Sequence, residues 1–338
     1  MTDKIRGCLA GGAMGDALGY AIEFHKESLI FSNYGNNGIT KYEIDSKTGK
    51  ALISDDTQMT LFTATGILTG SCYGVLYDIE HSYFDWLITQ HCSFDEAKEY
   101  KIHNSWLRNI PEIYSPRAPG YTCLSALKER SESSEKTESF IDSKINGSKG
   151  CGGVMRVAPI GFIRGKSIEE VALLAAQAAA ITHSHSLGYM PAAVLAQIIN
   201  RILYNQEMSL AEIITEARDT AKKLFAHDPY IQELSDIIDL AVSLADNKDT
   251  DLDNIHRLGE GWVAEEALAI AIYSSLRYQN DFSGGIIASV NHNGDSDSTG
   301  AITGNIIGSI CGYDAIDDKW KKDLEMIDVI IKVADDFK

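Results

Sequence analysis

The stretch "GCLAGGAMGDALGYAIEF", residues 7–24, places glycine at every fourth position from Gly7 to Gly19. The same spacing returns near the other end of the chain, from Gly300 to Gly312. A four-residue step keeps glycine on one helix face, where a neighbouring backbone can approach closely. Because glycine inside a helix costs about 1 kcal/mol relative to alanine, two such stripes indicate compensating tight packing. The pattern predicts two central helices, from opposite ends of the chain, buried in one all-α core.

The rest of the sequence is also typical of an all-α protein. Only six prolines interrupt it, and strand-like alternation is confined to "GITKYEID" at 38–45. The polar, low-complexity stretch "ERSESSEKTESF" begins a segment, 129–149, that we predict to be a surface loop. We therefore expect a single domain over 1–338. Apolar residues at helical spacing predict four further helices, at 56–68, 168–182, 187–204 and 262–278.

Composition excludes several classes of partner. The chain of 338 residues carries a formal net charge of −18, so nucleic acid and anionic membranes would be repelled. Its six cysteines form no C-x-x-C pair, which is typical of reduced thiols in a cytoplasmic protein. The first residues lack the apolar stretch of a signal peptide. We expect a cytoplasmic monomer that does not bind membranes.

The second glycine stripe begins beside a pair of acids in "NHNGDSDSTGAITG", residues 291–304. An EF-hand loop starting at Asp295 would need a bidentate glutamate where the chain has Ile306, so that interpretation fails. "DSDST" also fits the D-x-D-x-T signature of haloacid-dehalogenase phosphatases, and this weaker alternative predicts a phosphoaspartate at Asp295. That motif normally follows a buried strand near the start of a Rossmann-like domain, whereas here it precedes a glycine-striped helix near the end.

A second acidic motif, "ISDDTQMTLF" at 53–62, offers a partner site. Ser54 is a good N-cap residue, and Asp55 and Asp56 would lie in the first helical turn. Capping alone explains one acid but not two. With Asp295 and Asp297, the motifs supply four carboxylates, together with serine hydroxyls, and such hard oxygen donors suit magnesium, manganese or calcium rather than zinc. Four negative charges balance two divalent cations, so the sequence predicts a two-metal site.

These motifs resemble those of the ADP-ribosylglycohydrolase family nearly end to end. The likeness rests on 7–24, on "SDDT" at 54–57, on "GCGGVMRVAPIG" at 150–161 and on "GDSDST" at 294–299. The resemblance implies an all-α fold with two Mg²⁺ ions, or Mn²⁺ in their place, in a central cleft. The ligands carried over by position are Ser54, Asp55, Asp56, Asp295, Asp297 and Ser298.

The implied activity is hydrolysis that releases ADP-ribose from an ADP-ribosylated protein. "RAPG" at 117–120 resembles a segment of the arginine-specific hydrolases, which favours arginine as the modified residue. Two departures leave O-linked ADP-ribose, on serine or another acceptor, as an alternative: Pro116 stands where that branch is expected to have glycine, and the histidine cluster reads "THSHSLGY". A non-catalytic ADP-ribose-binding relative is a further alternative.

The resemblance also suggests roles for individual residues. Asp55 or Asp56 would orient and deprotonate the attacking water, and Glu23 is the candidate for a mobile acid or metal-contacting residue. Glycine N–H groups in "SKGCGGVM" (148–155) would form a nest for the diphosphate. Trp262 could stack on adenine or lie in the core, as tryptophan more often does. The predicted substrate contacts are Gly120, Tyr121, Ser148, Lys149, Gly150, Cys151, Gly152, Gly153, Val154, Met155, His183 and Trp262.

Overall fold

In the computed structural model, the two glycine stripes form α1 (Thr2–Tyr20) and α14 (Ser296–Cys311), which pack against each other antiparallel. The contact is backbone to backbone, because no side chain would fit between the helices. A Cβ added to Gly7 would lie 2.1 Å from the Gly308 carbonyl oxygen. A Cβ added to Gly11 would lie 2.4 Å from the Gly304 carbonyl oxygen, and one added to Gly15 would lie 2.0 Å from that of Gly300. The prediction of two central, buried helices from opposite ends of the chain is confirmed.

The ends of the stripes depart from a strict glycine-to-glycine pairing. Gly19 faces the backbone of Ser296, 2.2 Å from an added Cβ, rather than another glycine. Gly312 is the residue after α14 and has a φ of 79°, so it ends the helix instead of extending the stripe. Glycine is required there by the left-handed backbone. The close contact therefore extends from Gly7, whose added Cβ would also lie 2.9 Å from Gly312 Cα, to Gly19 beside Ser296.

The structure describes residues 1–100, 103–133, 137–205 and 207–337. These residues form helices and connecting segments with no β-strand, only two isolated bridges. Short 3₁₀ helices occupy Trp106–Asn109, Pro111–Tyr114, Cys151–Gly153 and Ala158–Phe162. Besides α1 and α14, the α-helices are α2 (Glu27–Tyr34), α3 (Asp55–Thr69), α4 (Val75–His91), α5 (Phe94–Ala97), α6 (Tyr121–Glu132), α7 (Ile168–Ala180), α8 (Ser186–Tyr204), α9 (Leu210–Leu224), α10 (Ile231–Ala245), α11 (Asp251–Leu258), α12 (Ala264–Arg277), α13 (Phe282–Val290), α15 (Asp318–Lys321) and α16 (Ile327–Asp335).

The four helices predicted from apolar spacing are all present, as α3, α7, α8 and α12, with ends within two residues of the prediction. Their starts follow from local chemistry: Ser167 caps α7 and forms a capping box with Glu170. Helices α8 and α12 are buried on nearly every side, as expected for helices that are apolar all round. They form the core behind α14.

The strand-like segment 38–45 is not a strand, so that interpretation was wrong. The side-chain amide of Asn291 takes the place of a neighbouring strand at Ile39. Its Oδ1 accepts from the Ile39 N–H at 2.7 Å, and its Nδ2 donates to the Ile39 carbonyl oxygen at 2.9 Å. One side chain thus satisfies the backbone groups that a sheet ladder would otherwise need.

The predicted surface loop 129–149 is only partly a loop. Helix α6 continues to Glu132, and residues 134–136 lie outside the described part of the chain. Further on, Phe140 is buried, with its N–H donating to Gln177 Oε1 of α7 at 2.7 Å. The guanidinium of Arg130 stacks over the Phe140 ring at 4.7 Å. This polar stretch therefore contains a buried apolar residue, Phe140, that its composition did not indicate.

Within the described ranges, no helix combines the length and apolarity that a membrane crossing requires. All six cysteines are free thiols in the structure.

Replacing Gly304 with alanine should destabilise the protein by about 3 kcal/mol or more, because the new Cβ would lie 2.0 Å from the Gly11 carbonyl oxygen and force the central helices apart. Urea denaturation measures the change. Gly147→Ala is the matched control: no atom lies within 4 Å of its added Cβ, and we expect a change within about 0.5 kcal/mol. An unchanged midpoint for Gly304→Ala would contradict the close contact.

Candidate active site

The first acidic motif lies at the N-terminus of α3, as predicted. Ser54 is the N-cap, and its Oγ accepts from the Asp56 N–H at 3.1 Å. Asp55 and Asp56 occupy the first turn and are buried, 5% and 3% exposed. One oxygen of Asp55 is already engaged, since the Gly120 N–H donates to its Oδ2 at 3.2 Å. Asp56 Oδ2 is buried and has no hydrogen-bond partner in the described structure.

The second motif lies at the N-terminus of α14, where Asp295 is the N-cap and Asp297 is in the first turn. The turn that precedes them depends on Gly294, whose φ is 124° and whose added Cβ would lie 2.0 Å from the Glu260 carbonyl oxygen. The thiol of Cys151 lies 2.6 Å from Asp295 Oδ2. Both carboxylates are thus held by a helix start and by a turn that only glycine fits.

The segment after α1 brings a third acid to the same place. Glu23, Asp295 and Asp297 each offer a carboxylate oxygen, and these oxygens all lie within 4.8 Å of one another. Glu23 Oε2 is buried without a hydrogen-bond partner among the described residues. Unpartnered buried carboxylate oxygens are the donors that a hard divalent cation needs. The acidic cluster therefore fits a metal ion on the chemistry of its donors.

Sequence reasoning missed one acid of the site, Asp16. It lies within α1, fully buried, and its carboxylate accepts from the N–H groups of Ser54 and Thr57 at 3.0 and 3.1 Å. The Thr57 hydroxyl donates to it as well. Since its oxygens are committed to these donors, Asp16 fastens the start of α3 to α1 and so positions the first motif. The sequence feature that could have identified Asp16 is its place inside the glycine stripe. A charged residue in a helix predicted to be buried needs a polar partner.

Burial makes these carboxyl groups hard to ionise. Desolvation, followed by repulsion from Asp297, raises the pKa of Asp16 to about 7 and of Glu23 to about 9. The same two causes raise the pKa of Asp55, Asp56 and Asp295 well above the usual range. Desolvation also raises the pKa of Asp297. A cluster of acids that resist losing their protons is typical of a functional site rather than of a stabilising one.

All of these acids except Asp16 form the floor of a cleft of about 210 Å³. Eight of the predicted substrate contacts line its walls: Gly120, Tyr121, Gly150, Cys151, Gly152, Met155, His183 and Trp262. The other four do not line it. Val154 is fully buried, Gly153 packs against the Gly188 carbonyl oxygen, the Lys149 amine pairs with Glu265, and the Ser148 hydroxyl accepts from the Gly150 N–H at 3.3 Å.

The mouth of the cleft is aromatic. Trp262 is 40% exposed rather than a core tryptophan, and its ring stacks on Phe24 with centroids 6.1 Å apart. Phe24 and Tyr121 are themselves 73% and 83% exposed. Exposed rings above a polar floor suit a planar, partly apolar ligand group.

The "RAPG" segment contributes backbone rather than charge to the cleft. The Arg117 guanidinium pairs with Glu325 at 2.8 Å, while its carbonyl oxygen accepts from the Asp55 N–H at 3.0 Å. Ala118 lines the cleft with a φ of 51°, an unusual conformation for alanine that is often found at functional sites.

A larger groove, about 880 Å³, lies between α7, α8 and α9, away from these acids. Charged side chains in this groove form ion pairs with each other, as Arg201 does with Glu216 at 2.6 Å. It contains none of the predicted site residues. The smaller acidic cleft is therefore the candidate active site.

Comparison with known proteins agrees with this geometry. A family model described as ADP-ribosylglycohydrolase matches residues 1–338. The chain is 25% identical over 356 residues to ADP-ribosylhydrolase ARH3 of Mus musculus, covering 95% of this chain and 87% of that protein. It is 22% identical over 330 residues to ADP-ribosyl-[dinitrogen reductase] glycohydrolase of Rhodospirillum rubrum, covering 96% and 91%. A solved ADP-ribosylglycohydrolase-related protein complex shares the fold, with a TM-score of 0.67 and 20% identity over 99% of this chain and 97% of that one.

A divalent cation should stabilise the wild-type protein, by about 2.7 kcal/mol at a concentration of about 100 times its Kd. Asp297→Asn should abolish that gain, because Asp297 belongs to the cluster of converging carboxylates. In EDTA the same variant should be more stable than wild type, since it removes one of several repelling charges. Thermal unfolding with Mg²⁺, Mn²⁺ or EDTA measures both effects. Asp142→Asn, an exposed acid, is the control that should behave like wild type.

The metal-free protein should become more stable as the pH is lowered from about 9 to about 6. The pKa of Glu23 is raised to about 9 and that of Asp16 to about 7, so both groups take up protons on folding. Their charged forms destabilise the fold above the raised pKa values, and this penalty disappears progressively below them. Urea denaturation in EDTA at several pH values measures the slope, which Glu23→Gln should reduce at its alkaline end. A flat profile in wild type would contradict the buried charges.

Proposed function

Because this chain belongs to the ADP-ribosylglycohydrolase family, whose members hydrolyse glycosidic bonds, we propose that it releases ADP-ribose from a modified arginine side chain in a reaction that requires Mg²⁺. The observation that supports this most directly is the meeting of both acidic motifs and Glu23 on the floor of one cleft. The fold speaks against a dehalogenase-type phosphatase, since helix α13, rather than a buried strand, precedes Asp295 and helix α14 follows it.

The residues proposed to hold two Mg²⁺ ions, or Mn²⁺, are Ser54, Asp55, Asp56, Asp295, Asp297 and Ser298. Bound there, the ions would supply Lewis-acid polarisation of the ribose hydroxyls beside the scissile bond. Asp16 is not among these ligands, because its oxygens are taken up by the start of α3. It keeps the first motif in place instead.

The chain's own carboxyl groups would carry out the proton transfers. Cleavage of a glycosidic bond passes through an oxocarbenium-like transition state and needs a general acid and a general base. Glu23 is the carboxyl group of the cleft that stands outside the proposed ligand set. Its Oε2 is buried without a hydrogen-bond partner among the described residues, so we assign Glu23 to donate a proton to the leaving nitrogen. Asp56 keeps a free oxygen, whereas Asp55 is bonded to Gly120. We therefore assign Asp56 to orient the attacking water and accept its proton.

The "RAPG" segment favours arginine as the modified residue, because it resembles the corresponding segment of the arginine-specific hydrolases. In this chain the segment reaches the cleft, where Ala118 and Gly120 line the wall and the Gly120 N–H donates to Asp55 Oδ2 at 3.2 Å. All of these groups belong to a single chain, so we propose that a monomer is sufficient. A cytoplasmic location suits the free thiols.

The test is release of ADP-ribose from peptides modified on arginine or on serine, with Mg²⁺ or with EDTA. We expect release from the arginine peptide with Mg²⁺ and its loss in EDTA. Asp55→Asn and Asp297→Asn should each lower turnover by at least about 100-fold, since losing a ligand should cost more than losing an outer contact. Asp142→Asn should retain activity.

Release from the serine peptide alone would replace arginine by an O-linked substrate. Release that persists in EDTA would overturn the metal requirement. No release from either peptide would overturn the proposed reaction.

A further inference from the structure

A buried arginine behind the cleft has no acidic partner among the described residues. Arg156 is fully buried, and its Nη2 donates to Thr182 Oγ1 at 2.7 Å and to the Ala178 carbonyl oxygen at 3.3 Å. Its guanidinium also lies over the Tyr83 ring at 4.4 Å. It does not line the cleft itself. An unpaired buried charge is costly, so its role must be sought in the groups that it touches.

The hydroxyl of Thr182 links this arginine to a histidine in the cleft wall. Thr182 Oγ1 accepts from Arg156 and lies 2.8 Å from His183 Nδ1. With one lone pair occupied, the hydroxyl still has one proton to give. The nearby alternative acceptor, the Cys123 thiol, is a weak one, whereas an imidazole nitrogen is a strong one. The hydroxyl proton therefore goes to His183 Nδ1.

A histidine that accepts at Nδ1 and is neutral must carry its proton on Nε2. Burial, and then repulsion from Arg156, lowers the pKa of His183 to about 3, so the ring is neutral at physiological pH. One neutral tautomer is consequently favoured over the other.

The Nε2 edge of the ring faces the glycine loop of the cleft. A Cβ added to Gly150 would lie 3.4 Å from His183 Nε2, and one added to Gly152 would lie 3.3 Å from it and 2.9 Å from Cε1. A side chain at Gly152 would crowd that edge, and one at Gly150 would lie in contact with it. In the described structure Nε2 has no hydrogen-bond partner of its own. The glycines thus keep a single N–H donor accessible from the cleft.

We propose that Arg156 and Thr182 are positioning residues that hold His183 as an Nε2–H donor on the wall of the cleft, where it binds an acceptor oxygen of the substrate. The identity of that substrate rests on the proposed function, but the tautomer does not. The opposite tautomer would present a lone pair to the same oxygen and repel it. A neutral donor is useful here because the floor of the cleft is acidic, and a charged group would be drawn toward the carboxylates.

Long-range ¹H–¹⁵N correlation spectra of the full chain, labelled with ¹⁵N-histidine, report the tautomer of each ring directly. His183→Asn assigns the signal among the nine histidines. We expect Nε2–H in wild type and in Thr182→Ser, which keeps the hydroxyl. Thr182→Val, which has nearly the same shape without the hydroxyl, should lose this preference.

Binding of free ADP-ribose, measured by calorimetry, tests the consequence. Thr182→Val should bind about ten- to a hundredfold more weakly than wild type, as expected for a lost hydrogen bond to a charged oxygen, while Thr182→Ser should stay within about twofold. Gly152→Ala should also bind more weakly, with the tautomer unchanged.

A wild-type spectrum showing Nδ1–H would overturn the inference whatever the activity. An unchanged tautomer in Thr182→Val would remove Thr182 from the positioning role. Should Thr182→Val fail to fold, the wild-type and Thr182→Ser spectra still decide the question. If no peptide substrate is cleaved but the spectra are as expected, the proposed reaction fails and the assignment of the donor stands.

Discussion

The fold depends on the backbone contact between the first helix and the fourteenth. Because α1 and α14 run antiparallel with glycine facing carbonyl oxygen, the end of α1 is brought to the start of α14. Glu23 and the pair Asp295 and Asp297 come together for that reason, although more than 270 residues separate them in the sequence. Any side chain in the stripe would push these carboxyl groups apart. The glycines of α1 and α14 thus determine where the acidic cluster forms.

The same contact gathers negative charge that the fold must tolerate. Helices α3 and α14 both begin at the cluster, so two positive dipole ends and several backbone N–H groups lie beside the acids. Asp16 adds a carboxylate but also uses it to bind the start of α3. These interactions offset part of the repulsion. The remaining repulsion contributes to the raised pKa values of Glu23 and Asp56. Each of these residues also has a buried oxygen without a partner, and a cation bound there would reduce the repulsion.

The sequence was most informative where the chemistry is local. The cap at Ser54, the acids in the first turn of α3 and the glycine spacing follow from neighbouring residues, and the structure contains all of them. It was least informative where a distant residue decides the outcome. Segment 38–45 looked like a strand because no neighbouring residue indicates that the distant Asn291 amide binds its backbone. Trp262 could be taken for a core residue because no neighbouring residue indicates that its ring stacks on the distant Phe24. The buried role of Asp16 required knowing which helix lies beside it.

The two sides of the cleft present opposite electrostatic problems. The floor offers carboxylate oxygens that suit a divalent cation, whereas a diphosphate entering a chain with a net charge of −18 needs hydrogen-bond donors from neutral groups. In the proposed function, the glycine N–H groups and the Nε2–H of His183 serve that purpose. The buried Arg156 lies behind this wall and is linked to it by the Thr182 hydroxyl and the His183 ring. An exposed arginine would be drawn to the carboxylates on the floor, whereas the buried one is held in place by its hydrogen bonds. The separation of acids from neutral donors would thus let one small cleft hold cations at its floor and a diphosphate at its wall.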